Sequence, residues 1–271
     1  MKTLKFLAVV FVTLWAFTTL FPMFWMFQTA FTPEEDISTF PPRLFPSRLT
    51  LENFKVLFES SMIWRWIENS AFLSVSVTVL SLLICSMAAY AFAKLEFSGK
   101  RIMFTSIVAT ILVPAQVTLL PAFLIISKLN LIDTLWAVII PSIASPYTIF
   151  MMRQYMVTIP SDFLDAARID GASELGIYWN IVLPMSKPVL GASAIFTFIS
   201  IWNSFLWPLI VLNSPEKYPL TVGLATLQRQ HLVQYGLQMA GAVISALPMI
   251  VVFFAFQRYF MRGLMTGGTK G

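Results

Sequence analysis

The placement of charge constrains this chain more than any other feature. No Lys, Arg, Asp or Glu occurs in six stretches: 6–33, 69–93, 102–127, 134–152, 188–215 and 230–257. Every charged side chain lies between these stretches or at the ends. A helix needs about 20 apolar residues to cross the hydrocarbon core of a bilayer. A charge at mid-membrane costs roughly 2.5–3.5 kcal/mol on insertion scales. An all-α integral membrane fold with six transmembrane helices is therefore expected, over about 6–28, 68–94, 103–126, 133–153, 188–212 and 238–260. Composition agrees, with 58% of the 271 residues hydrophobic and 11% charged, whereas a soluble domain carries about 25% charged residues. The alternating segments of about ten residues that mark a membrane barrel are not seen.

Orientation follows from the basic residues flanking the spans. One face collects 11: Lys2, Lys5, Lys94, Lys100, Arg101, Arg153, Arg168, Lys187, Arg258, Arg262 and Lys270. The other collects 7: Arg43, Arg48, Lys55, Arg65, Lys128, Lys217 and Arg229. Both termini are thus expected in the cytoplasm, and the net charge of +5 reflects topology rather than nucleic-acid binding. The apolar run Phe6–Phe27 exceeds the core of a cleavable signal and is expected to stay as a first span. Cys85 stands alone inside the second span, so no disulfide framework exists.

Proline and small residues organise the rest. The external segment 29–66 holds Pro33, Pro41, Pro42 and Pro46, and Leu51–Phe58 reads as a short amphipathic helix. Ala89 and Ala93, four apart, mark a close helix contact. Pro114, Pro121, Pro141, Pro146, Pro208 and Pro248 fall within expected spans, where each kinks its helix. The functional alternatives for them are shape and hinge. One transmembrane permease domain over 1–271 is expected, with no repeat and no soluble domain.

The connection 154–187 is too long for a turn. Pro160-Ser161-Asp162 starts a helix, with a side-chain oxygen able to cap free amides. Asp170-Gly171 breaks it, because glycine takes left-handed geometry readily. Ser173 can cap a second helix through Ile181, and Pro184 is expected to stop it. Phe163, Leu164 and Ile169 make an apolar face beside the small Ala166 and Ala167, edged by Asp162, Asp165 and Arg168. Such a knob suits a groove on a partner.

Asp165-Ala166-Ala167, Asp170-Gly171-Ala172-Ser173 and Ile181-Val182-Leu183-Pro184 resemble the EAA loop of ATP-binding-cassette importer permeases. Asp165 stands where that family usually has Glu. Ile201-Trp202-Asn203, Phe205–Leu209, Pro219–Leu224 and Gly263–Gly271 resemble the carbohydrate-uptake subfamily, in particular the shorter permease of maltose-type and glycerol-phosphate-type pairs. The resemblance implies the type I ABC importer permease fold with a cytoplasmic coupling-helix loop at 160–184. It assigns ATPase coupling to Asp165, Ala166, Ala167, Asp170, Gly171, Leu183 and Pro184. It implies a second permease, two copies of an ABC ATPase, an extracytoplasmic solute-binding protein, a sugar-like solute and a bacterial or archaeal inner membrane. No G-x-x-x-x-G-K-[ST] loop is present, so ATP and Mg are expected on the partner ATPase, with no cofactor here and no catalysis by this subunit.

Sugars are held by aromatic faces and paired donors and acceptors. Trp202, Asn203 and Trp207 in the fifth span, and Gln116 in the third, are the expected solute-pathway residues, with Asn203 and Trp207 one turn apart. The competing reading makes these amides and rings helix-packing groups. Two functional alternatives are a secondary transporter and a non-transport assembly protein. Spans without acids or bases argue against the first, and the glycine-broken knob argues against the second.

Overall fold

The computed structural model describes residues 2–37, 39, 44–59, 62–230 and 234–268, and its regular structure there is entirely helical. Pro41, Pro42, Arg43, His231 and 269–271 lie outside the described residues. The chain packs as two compact units, Met1–Trp64 with Gly223–Pro248, and Arg65–Val222 with Met249–Gly271.

The first unit opens with α1 (Lys2–Ala30), which carries Pro22. Its apolar side chains are exposed all around, Trp15 at 67% and Phe17 at 70%, as a helix solvated by lipid requires. The Thr13, Thr18 and Thr19 hydroxyls donate to the carbonyls of Val9, Leu14 and Trp15, so these three polar groups are satisfied within the helix. After α2 (Glu34–Ile37) comes α3 (Glu52–Glu59), the expected amphipathic helix, which buries Leu57 and Asn53. Asn53 Nδ2 donates to the Ala30 and Thr32 carbonyls, tying α3 to the end of α1.

The second unit is built on α4 (Ile63–Lys94), 32 residues without an internal proline or glycine. Ala89 is fully buried on it, as its small-residue spacing implies. Next come α5 (Lys100–Ala109), a 3-10 turn Thr110–Leu112 and α6 (Ala115–Lys128). Val113 and Pro114 are extended between them (ψ 120 and 132). The third expected span is therefore not one straight helix, because its halves meet at 105°. The fourth is likewise two helices, α7 (Trp136–Ser142) and α8 (Pro146–Val157), with Ser145 accepting from the Thr148 amide at 3.2 Å and Pro146 opening α8.

The chain continues through α9 (Asp162–Ile169), α10 (Glu174–Ile177), a π turn Tyr178–Val182 and α11 (Leu183–Met185) to α12 (Lys187–Trp202). The fifth expected span is broken too, into α12 and α13 (Leu206–Val211). Pro208 has no N–H to give the Ser204 carbonyl. The Thr221 hydroxyl donates to that carbonyl instead, at 2.7 Å. A 3-10 turn Pro215–Lys217 and α14 (Leu220–Gln230) lead to α15 (Tyr235–Gly268), which carries Pro248. Glu34 caps α15 by accepting from the Tyr235 and Gly236 amides. Three described helices are long and apolar enough to span a membrane, and five spans result if each bent pair counts as one. Six unbroken spans are not seen among the described residues; proline stands at the breaks at 114 and 146, and Pro208 lies in the first turn of α13, just after the break between α12 and α13.

Candidate functional site

The segment 158–187 folds as two short helices set against the end of α4. The Ser161 carbonyl accepts from the Leu164 and Asp165 amides at 2.8 and 2.9 Å and starts α9, though its hydroxyl makes no capping bond. The helix ends as the sequence predicts. Gly171 has φ +79, its amide donates to the Arg168 carbonyl at 3.1 Å, and the Ala172 amide donates to the Ala167 carbonyl at 2.9 Å. This pair of bonds is the Schellman motif, which requires a left-handed residue at Gly171. Ser173 then caps α10, accepting from the Gly176 amide at 3.2 Å.

Pro184 does not stop the second helix. It falls in the first turn of α11, where a missing N–H is tolerated, and the π turn before it absorbs the change in register. The chain turns only at Ser186 (φ −87, ψ 5), and α12 leaves at 78°. Leu183 packs partly against the core, while Pro184 is exposed.

Burial divides the knob into two faces. Leu164 (1% exposed), Ile177, Tyr178 and Val182 are inside, against Cys85, Ala89, Met152 and Met156. Phe163 (54%), Ile169 (87%) and Leu175 (61%) point outward. The expected apolar face is corrected at Leu164, which sits about 100° around the helix from Phe163. Ala166 shares the outward face, three residues from Phe163, and Asp165, Asp170 and Gly171 are exposed beside it. Ala167 turns partly inward.

A charged lattice fixes the angle between α9 and α10. Arg168 donates from Nε to Glu174 Oε1 at 2.8 Å and from a terminal nitrogen to Glu174 Oε2 at 3.3 Å. Its other terminal nitrogen donates to Asp165 at 2.8 Å. Tyr90 Oη, from α4, donates to Glu174 Oε2 at 2.5 Å. Donation from Arg168, then from Tyr90, holds the Glu174 carboxyl below its ordinary range. The Tyr90 ring lies 5.7 Å from that of Tyr178, whose hydroxyl is hydrogen bonded to Ser86 at 2.7 Å. Sequence reasoning missed Ser86, Tyr90, Glu174 and Tyr178. Ser86 and Tyr90 are polar groups four apart on a lipid-spanning helix, a pattern that signals a shared polar partner.

The expected solute-pathway residues divide. Gln116 and Trp207 line one cavity of about 420 Å³, with Ser142, Ser204, Phe205 and Leu206. Gln116 has no hydrogen-bond partner among the described residues, whereas Trp207 Nε1 donates to the Ala137 carbonyl at 3.0 Å. Trp202 and Asn203 do not line this cavity. Trp202 is 3% exposed and stacks on Phe198. Asn203 and Trp207 are not one turn apart on one helix, because α12 ends at Trp202 and α13 begins only at Leu206. The Asn203 amide donates to the Ile199 carbonyl and to Met249 Sδ, a packing role.

Elsewhere in the unit, Asp133 (φ +59) joins two loops. Its carboxylate accepts from the Asn213 and Ser214 amides, the Ser214 hydroxyl and Lys217 Nζ, at 2.5–2.9 Å. The Lys217 ammonium, then the Ser214 hydroxyl, holds that carboxyl well below the usual range despite partial burial.

Known proteins match this arrangement. Residues 81–266 match the model of the binding-protein-dependent transport system inner membrane component family. The chain is similar to the arabinooligosaccharides transport system permease protein AraQ of Halalkalibacterium halodurans, 40% identical over 94% of this chain and 93% of that one. It is also similar to the lactose transport system permease protein LacG of Rhizobium radiobacter, at 32% identity over 92% and 91%. Its fold overlays a chain from a bacterial ABC transporter involved in import of the acidic polysaccharide alginate, with TM-score 0.88, 26% identity and coverage of 96% and 97%. With that fold and relatives of this length and identity, the chain belongs to the inner membrane components of binding-protein-dependent transport systems, the membrane subunits rather than the ATPases of ABC importers.

Proposed function

We propose that this chain forms, as one permease domain, half of the transmembrane pathway of an ATP-driven importer for a sugar or oligosaccharide. The other half is a second, different permease. Two copies of an ATPase bind the cytoplasmic knobs, and an extracytoplasmic protein delivers the solute. Both termini face the cytoplasm of the inner membrane. The observation that carries this reading is the knob itself, anchored on α4 by Leu164 and Ile177 while Phe163, Ile169 and Leu175 stay exposed. Asp165, Ala166, Ala167, Asp170 and Gly171 lie on or beside that outward surface and couple it to the ATPase. Leu183 and Pro184 carry the second helix into α12. ATP and Mg act on the partner, since the sequence has no phosphate loop.

The solute class rests on relatives named for arabino-oligosaccharides and lactose and on the alginate transporter. The cavity lined by Gln116 and Trp207 offers an unpaired amide beside an aromatic ring, the pair of groups a sugar uses. The test is expression with its neighbouring subunits, purification by a tag on this chain, and uptake by vesicles loaded with ATP. A co-purifying ATPase and ATP-dependent accumulation of an arabino-oligosaccharide or another glycan are expected. Accumulation driven by a proton gradient without ATP would overturn the reading.

A further inference from the structure

Of the three helices long enough to span a membrane, α1 and α15 contain Pro22 and Pro248, whereas α4 has neither proline nor glycine inside it. Proline and glycine are the usual seats of helix bending, so α4 is the stiff member of the set. It is also fastened at both ends. At the cytoplasmic end Tyr90 holds Glu174, and Ser86 holds Tyr178 one turn away. Lys94 Nζ donates to the Ile159 carbonyl at the entry to the knob. At the far end Trp66 Nε1 donates to the Pro215 carbonyl at 2.8 Å. Asn69 Nδ2 donates to the Glu216 and Tyr218 carbonyls at 2.8 and 3.0 Å. The Leu220 amide donates to Ser70 Oγ at 2.7 Å.

We infer that α4 is a connecting rod that carries displacement of the cytoplasmic knob to the external loop 213–220, with Tyr90 as the positioning residue at its driven end. The inference rests on the ATPase-docking reading of the knob. Gly171 lets α9 and α10 meet at an angle, and such a joint would absorb motion if nothing braced it. The Arg168–Glu174 pair closes the joint, and the Tyr90 hydroxyl fixes the closed joint to the rod. The distance from Tyr90 to Ser70 is 20 helical residues, about 30 Å, which crosses the membrane. A straight helix transmits a tilt or shift over that length, whereas α5 and α6 meet at 105° and cannot. The receiving loop is itself consolidated by Asp133 and Lys217, so it moves as a body.

The test uses the complete importer in vesicles, with a spin label at Glu216→Cys. Cys85 is buried and does not compete for the label. In the otherwise native complex, ATP with Mg is expected to change the label's mobility. Tyr90→Phe keeps the ring stack on Tyr178 and removes only the hydroxyl. It is expected to lower both the label's response and solute moved per ATP by about fivefold, the lower end of ordinary coupling between sites, while ATPase subunits still co-purify. Asn69→Ala, at the other end, is expected to do the same. The double variant is expected to lose no more than either alone, since both cut one rod. Three results would overturn the proposal: a label silent to ATP in the native complex, Tyr90→Phe with unchanged response and unchanged transport per ATP, or losses that multiply in the double variant. Failure of the ATPase to co-purify with the native chain would instead sink the docking reading beneath it.

Discussion

The knob at 158–187 and the loop 213–220 are both fastened to α4 by side-chain hydrogen bonds, yet they are finished in opposite ways. The loop 213–220 is closed on itself. Asp133, Asn69 and Trp66 take up its backbone groups, Lys217 donates back to the Asp133 carbonyl, and Leu212 and Leu220 are buried. The knob is closed on one side only, with Leu164 and Ile177 buried and Phe163, Ile169 and Leu175 left outside. A segment that completes its own contacts stabilises the subunit. One that withholds an apolar face is shaped for another chain. Substitutions in the first are therefore expected to change stability, and in the second to change assembly.

The largest effect is expected at Asp133→Ala. Four donors lose a partly buried acceptor, and alanine must hold a backbone with φ +59. A loss of about 2 kcal/mol follows from one charged hydrogen bond alone. Thermal unfolding of the purified complex reads it. The effect depends on pH with a definite sign. The folded carboxyl titrates below its unfolded value near 4. Its stabilisation is complete above that value and is lost as pH falls through the folded one. The gap between native and Asp133→Ala unfolding temperatures is expected to be full at neutral pH and to shrink in strong acid.

Next comes Gly171. An added Cβ meets nothing within 4 Å, so only the backbone objects. Gly171→Val places a β-branched residue at φ +79, at about 1–2 kcal/mol, or roughly tenfold less ATPase retained per permease. Gly171→Asn, tolerant of left-handed geometry, is expected to stay close to native. Gly171→Asp also tolerates it, so any further loss beyond Asn reports the charge inside the partner's groove. Full solute-stimulated hydrolysis by Gly171→Val would break the contrast between the two loops.

Phe163→Ser is expected to weaken ATPase retention by about 1 kcal/mol, as truncation of an exposed interface aromatic does. Thermal stability stays unchanged, because the ring is half exposed in the subunit. A fall in stability without loss of the ATPase would place Phe163 with the self-closed loop instead.

Much of this contrast is legible in the sequence, and the rest is hidden for identifiable reasons. The long apolar helices α1, α4 and α15 follow from where charge is absent, and the knob follows from Asp170-Gly171 and Ser173, because caps and bends are set by single residues. The breaks at Pro114 and after Trp202 were expected only as kinks, since a proline announces a lost hydrogen bond but not the angle that neighbours impose. Leu164 reads from sequence as part of the outward face because three nearby apolar residues on a short helix do not declare which of them faces in. The Tyr90–Glu174 bond joins residues 84 apart in sequence, and no local pattern pairs them. Asp133 with Lys217 is the same case.

The smallest effect tests the cavity. Gln116 is exposed and unpaired among the described residues, so Gln116→Ala removes no internal hydrogen bond. If the amide meets solute, its loss costs one neutral hydrogen bond, about 0.5–1 kcal/mol. That amounts to roughly a threefold rise in the solute concentration for half-maximal uptake, with assembly and stability unchanged. Trp207→Phe is the contrasting variant. It keeps an aromatic face on the cavity but strands the Ala137 carbonyl, so it is expected to lower stability by about 1 kcal/mol and to leave half-maximal uptake nearly as it was. Reversed results, a stability loss at Gln116 and an uptake defect without one at Trp207→Phe, would make the amide a packing group and the indole N–H the solute contact.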